Sequence, residues 1–159
     1  MKDTVDMRGC YTIKALDAKT GDVLRVWSLK NQLTSINQTT RTQMLLGTYN
    51  GALDALQIKY FAFGTDGTAA TVEDTSLKAE VYRKQITQIT QPNASTIQSV
   101  VSLGSMECNY DIKEIGVFAG PDATSTPGSG TLMSRVVVNI EKNTNIVLNI
   151  VRSDICTIG

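Results

Sequence analysis

Alternation of apolar and polar residues in short runs, broken by turn-forming clusters, is the feature that most narrows what this chain can fold into. From Cys10 to Leu16, Tyr11, Ile13 and Ala15 fall on one side and Thr12 and Lys14 on the other, the period of two that marks a half-buried strand. A second run, Val23 to Leu29, follows Asp17-Ala18-Lys19-Thr20-Gly21-Asp22. Gly21 stands where a short hairpin loop needs a residue at positive φ, so these two strands are expected to pair antiparallel. Further strands are read over Leu56–Phe63, Thr96–Leu103 and Ile112–Phe118. At the end of the chain Leu132, Ser134, Val136, Val138 and Ile140 share a face, as do Ile146, Leu148 and Ile150 beyond the turn Lys142-Asn143-Thr144. Leu77 to Arg83 reads either as a helical turn or as a strand running on to Thr90, and Pro92-Asn93 marks a turn.

One segment breaks the pattern. In Ile36–Gly47, Asn37 and Thr39 are capping residues, Met44, Leu45 and Leu46 supply an apolar stretch, and Gly47 is a stop, which predicts a short helix over about 37–46. Gly64–Ser76 is a Gly/Thr/Asp-rich loop, and Gly120–Gly130 (GPDATSTPGSG) is predicted to be a long exposed loop. A parallel α/β sheet would need helices between the strands, and these are missing. The expected fold is therefore all-β: one antiparallel β-sandwich domain over 1–159, with about seven to eight strands and one short helix.

The 159 residues suit one domain. Histidine is absent, which removes Ser/His and Cys/His nucleophilic sites, histidine metal centres and histidine pH switches. Cys10, Cys108 and Cys156 are odd in number and lack CxxC spacing, so they are expected to be reduced, small apolar core residues of a protein made in the cytosol. Fifteen Lys+Arg balance fifteen Asp+Glu, and a surface that tracks phosphates needs an excess of positive charge; no nucleic-acid partner is expected. The N-terminal MKDTVDMRG has no apolar signal region, and no uninterrupted apolar run is long enough to span a bilayer. Neither secretion by a signal peptide nor membrane insertion is expected.

Without histidine, carboxylates are the first candidates for acid–base chemistry. Asp66, Asp74, Glu80, Asp111 and Glu114 lie near strand ends, but a glycosidase needs two carboxyls facing across a cleft, and they are read instead as turn acids and ion-paired glutamates. Asp66, Glu73 and Asp74 lack the ligand alternation and fixed glycine of an EF-hand. There is no GxSxG, and GTDGTAAT lacks the GK[ST] of a Walker loop. Tyr60, Phe61 and Phe63 alternate like core residues, with only Lys59 beside them, and do not form a base-stacking platform. No catalytic, cofactor or metal site is assigned. The residues singled out are Glu80 with Arg83 and Glu114 with Arg135, because each lies in an apolar stretch (LKAEVYR, IKEIGVF, LMSRVVV). An unpaired charge there would cost several kcal/mol, so partners are expected and a structural role is assigned.

Several words occur in order: Lys30-Asn31-Gln32-Leu33-Thr34, Thr40–Gly47, Tyr60–Thr65, Asp74–Leu77 with Glu80–Arg83, Ile112–Phe118 and Gly130–Val136. Together they resemble the small β-rich modules of tail-fibre, tail-collar and baseplate proteins of tailed bacteriophages, over roughly residues 28 to 140. Thr65-Asp66-Gly67 stands where a plain GTG is commoner in those modules. The resemblance implies a virion structural protein without catalysis or cofactor, assembled in the host cytoplasm. Its partners would be copies of itself, as a homotrimer or ring, and neighbouring tail or capsid proteins. Two other readings stand beside it: a capsid decoration or head-fibre protein, and a module that binds host-surface glycans through the 120–130 loop. A cell-wall hydrolase using Glu80 or Glu114 comes last.

Overall fold

The computed structural model describes residues 5–36, 39–40, 50–51 and 54–158. Ten strands are present among the described residues: β1 (Val5–Asp17), β2 (Val23–Lys30), β3 (Gln32–Leu33), β4 (Ile58–Gly64), β5 (Glu80–Gln85), β6 (Gln88–Asn93), β7 (Thr96–Leu103), β8 (Asp111–Ala119), β9 (Thr131–Glu141) and β10 (Ile146–Ile158). They form two five-stranded sheets, with every pairing antiparallel. The expected all-β antiparallel class is the one observed, with more strands than the seven or eight expected. Of the segment predicted to be helical, Thr39 and Thr40 are helical, as are the preceding Ser35 and Ile36. The rest of 37–46 lies outside the described residues.

The chain divides into two compact units, each assembled from separate stretches of sequence. The first unit comprises Met1–Asn31, Ile86–Asn109 and Lys142–Gly159, and its sheet runs β2-β1-β10-β7-β6. Alternation here becomes rows of side chains across strands. Ile13 pairs with Ile150 and Ile150 with Val101, while Ala15 pairs with Leu148 and Leu148 with Leu103. All six are buried, and full burial of a side chain of this kind is worth about 1.5–3 kcal/mol. The β1–β2 hairpin turns at Gly21 with φ +77°, the positive value expected of that glycine. The turn expected at Pro92-Asn93 instead falls at Ala94-Ser95, because β6 runs on through Pro92 to Asn93. As an edge strand β6 tolerates the proline, whose missing N–H takes nothing from the ladder.

The second unit comprises Gln32–Gln85 and Tyr110–Glu141, with strand order β3-β9-β8-β4-β5. One face of its sheet is large and apolar: Phe61 pairs with Val117, Phe63 with Ile115, and Ile115 with Val136. The opposite face has small residues at its centre, Ala62 opposite Gly116 and Gly64 opposite Glu114, and these leave room above the sheet there for loops. Leu77 to Ala79 forms neither a helical turn nor a strand; the strand starts at Glu80 and ends at Gln85.

Candidate functional site

All four charged residues singled out by sequence lie on the small-residue face of the second unit. Gly116 pairs with Arg135, Gly64 with Glu114 and with Glu80, and Ala62 with Arg83. The structure brings them together as two separate clusters, each of which holds one loop.

The first cluster centres on Arg135 of β9, whose side chain is fully buried. Its Nε donates to Glu114 Oε2 at 2.6 Å and its Nη1 to Asp74 Oδ2 at 3.1 Å and to the Ala69 carbonyl at 3.3 Å. Its Nη2 lies 3.6 Å from Asp66. Glu114, also fully buried, accepts the backbone N–H of Lys78 and Ala79 at 3.1 and 2.7 Å. Asp74 accepts the Thr71 N–H and pairs with Lys78 Nζ at 2.9 Å. Burial alone would raise the Asp74 carboxyl; the Thr71 N–H, Lys78 and Arg135 outweigh it and hold the group at about 2. The segment between Gly64 and Glu80 is thus pinned to the sheet by one guanidinium and two carboxylates.

Glycine makes this arrangement possible. A Cβ on Gly64 would lie 2.6 Å from the Ala79 carbonyl and 2.7 Å from Glu114 Cγ. A Cβ on Gly116 would lie 2.7 Å from Leu77 and 2.9 Å from Leu132. Both glycines allow a loop to approach closer than any side chain would permit.

The second cluster centres on Arg83 of β5. Its Nε and Nη2 donate to the two oxygens of Glu80 at 2.7 and 3.0 Å, the two-pronged geometry a guanidinium favours with a carboxylate. Its Nη1 reaches the Ser129 carbonyl at 2.7 Å and the Thr124 carbonyl at 3.2 Å. Its guanidinium carbon sits 4.1 Å from the Phe118 ring centroid and 5.9 Å from that of Tyr60, a cation–π arrangement. Glu80 also accepts the Gly128 N–H at 3.0 Å. The 120–130 loop, expected to be long and exposed, has mostly exposed side chains but is tied to β5 at three residues. Ala123 enters the apolar cluster with Ala62, Leu77, Phe118 and Leu132.

The chemical consequence is that these carboxylates are already engaged. Glu114 presents no surface to solvent, and Asp74, considered as a calcium ligand or turn acid, is committed to Arg135, Lys78 and Thr71. Asp66 accepts the Thr68 N–H at 2.7 Å. No group of three Cys, Asp or Glu is placed to hold a metal among the described residues. Nor is any helix among them long and apolar enough to cross a membrane. A cleft of about 360 Å³ beside the 120–130 loop is lined by Ala55, Ala119, Gly120, Pro121, Asp122, Gly130 and Thr131; Asp122 is its one charged residue.

Sequence reasoning missed two buried cations, both in the first unit. Lys142 is 3 % exposed, and its Nζ donates to Asn109 Oδ1, Asn143 O and Ser105 O at 2.9, 3.0 and 3.4 Å; burial lowers its pKa. Arg152 is 1 % exposed and donates to Asp154 at 2.6 Å. The signal was present: Lys142 continues the Val136, Val138, Ile140 alternation, and Arg152 continues Ile146, Leu148, Ile150. Of the cysteines, Cys108 is buried and free, and burial pushes its thiol up to about 12. Cys10 is only half-buried, because it points to the face of β1 opposite Tyr11 and Ile13. The Cys156 side chain lies outside the described residues.

Comparison with protein-family models, curated proteins and solved structures found no match.

Proposed function

We propose that this protein is a non-enzymatic structural component of a tailed-phage virion, part of the tail, baseplate or fibre-attachment apparatus, acting through oligomeric protein–protein contacts. One observation carries the reading. The words that resemble phage tail modules, scattered over about a hundred residues of sequence, fall in one unit, all but Lys30 and Asn31, and their described residues lie on β3, β4, β5, β8 and β9 or in the segments beside those strands, Asp74–Leu77 among them. The residues that make those words recognisable are the ones that hold the unit's loops. Asp74, Glu114 and Arg135 bind the first loop, and Glu80 with Arg83 binds the second. Such a motif preserves a loop-bearing scaffold and leaves its surface free for neighbouring proteins.

The test is direct. Particles of the phage that encodes the chain, purified and probed with an antibody against it, are expected to carry it in many copies, with immunogold label on the tail. Label on the head shell would move the assignment to a capsid decoration or head fibre. Binding of the isolated protein to a host glycan array would favour adhesion. Absence from purified particles would overturn the virion reading.

A further inference from the structure

The first unit's sheet ends in two unlike edges. β6, all six residues of which are exposed, contains Pro92 and a break in register between Thr90 and Asn93; proline and irregularity are the usual protections of a sheet edge. β2, at the opposite edge, has eight residues, no proline, and one irregularity near its start, where Ala15 pairs with Arg25 and Leu16 with Val23.

The backbone of β2 is half-used. The Asn31 N–H donates to the Gly9 carbonyl at 3.0 Å, and Cys10 faces Lys30. The alternation of an antiparallel ladder then turns the N–H and C=O groups of Leu29 and Trp27 toward β1 and those of Lys30, Ser28 and Val26 outward. Among the described strands nothing pairs with that side. Its side chains are unusually apolar for an edge: Val23, Leu24 and Val26 are 56, 55 and 52 % exposed.

The residue order of β2 is self-complementary when read in reverse about Val26. Arg25 of one copy then faces Trp27 of the other, Val23 faces Leu29, and the acidic end at Asp22 lies alongside the basic end at Lys30, each relation occurring twice. Arg25 already lies 4.8 Å from the Trp27 ring within one chain, so the cross-copy pairing extends an existing stack. We propose that β2 is the seat of a twofold contact between two copies of this chain, paired antiparallel about Val26 so that two five-stranded sheets become one of ten. The inference does not rest on the virion reading.

Sedimentation velocity of the full chain over a range of concentrations tests it. The wild type is expected to form a reversible dimer. Val26→Lys sets like charges against each other at the twofold and is expected to weaken association about tenfold or more. Lys30→Asp is expected to weaken it by less, and Asp22→Lys combined with Lys30→Asp to restore it, since the exchange preserves opposite charges across the pair. All three positions are exposed, and far-UV circular dichroism checks that each variant folds. A wild type that stays monomeric at every concentration, association unchanged by Val26→Lys, or a double exchange that fails to restore it would each overturn the proposal.

Discussion

Arg83 and Arg135 sit on the same sheet face and do the same job by different means. Arg135 is held by two buried carboxylates and approaches a third, while its partners Glu114 and Asp74 also bind backbone N–H groups of the loop. Arg83 has one carboxylate; the remainder of its hydrogen-bonding capacity goes to carbonyls and the Ser129 hydroxyl, and its flat face to Phe118. In the first case the carboxylates do most of the gripping, and the arginine, beyond its one bond to the Ala69 carbonyl, neutralises them. In the second the arginine itself grips the loop. Removing an acid should therefore do most damage at Arg135, and removing the cation should act most locally at Arg83.

The largest effect expected from this contrast belongs to Glu114→Ala. It strands a fully buried guanidinium nitrogen and two loop N–H groups, and breaking one side of a buried charge pair costs about 3–5 kcal/mol. Chemical denaturation should show that loss directly. A variant that melts with the wild type while losing a measurable binding or enzymatic activity would make Glu114 a site residue. Arg83→Ala comes next, at about 2–3 kcal/mol, because Glu80 is 8 % exposed in its side chain and still accepts the Gly128 N–H. Hydrogen exchange should accelerate at Gly128 and Ser129 and stay unchanged at Lys78 and Ala79; equal acceleration in both loops would show that the clusters are not independent.

Alternation along single strands was enough to place Tyr11, Ile13, Ala15, Leu148 and Ile150 in a core, since strand geometry alone fixes which side chains share a face. The same logic marked Glu80, Arg83, Glu114 and Arg135 as charges in apolar surroundings that needed partners. It did not reach Asp74, which sits in a polar loop where an acid looks solvated and becomes buried only when the loop folds back over Gly64 and Gly116. The 120–130 loop was read as long and exposed, as most of its side chains are, but its anchoring went unread for a related reason. Its composition is that of a free loop, and what restrains it is an arginine about forty residues away in sequence. Close approaches permitted by glycine, and hydrogen bonds to backbone groups, leave little trace in a hydropathy pattern.

Acid should separate the two clusters. The Asp74 carboxyl, held at about 2 against an ordinary 3.8, contributes stability fully present above pH 3.8 and lost as pH falls toward 2. The shift corresponds to about 2 kcal/mol. Unfolding free energies measured from pH 6 down to 2 should converge for the wild type and Asp74→Asn at the acid end and differ above pH 4. A constant gap between them would mean that Asp74 acts through shape and not through charge.

The smallest effect is expected at Asp122, in the same loop that Arg83 holds. Its side chain is exposed, and none of the hydrogen bonds that tie this loop to β5 involves it; they are made at Thr124, Gly128 and Ser129. Asp122→Ala should therefore change stability by no more than about 0.5 kcal/mol, as surface substitutions usually do. The same substitution removes the one charge from the cleft beside the loop, which makes it a probe of surface function as well. If Asp122→Ala left the melting temperature unchanged but reduced binding to a tail partner or to a glycan, the outer side of the pinned loop would be a recognition surface and the Arg83 cluster its support. If it destabilised the protein as much as Arg83→Ala, the loop would be held by its acidic tip as well as by the arginine beneath it, and the division of labour between the two clusters would have to be redrawn.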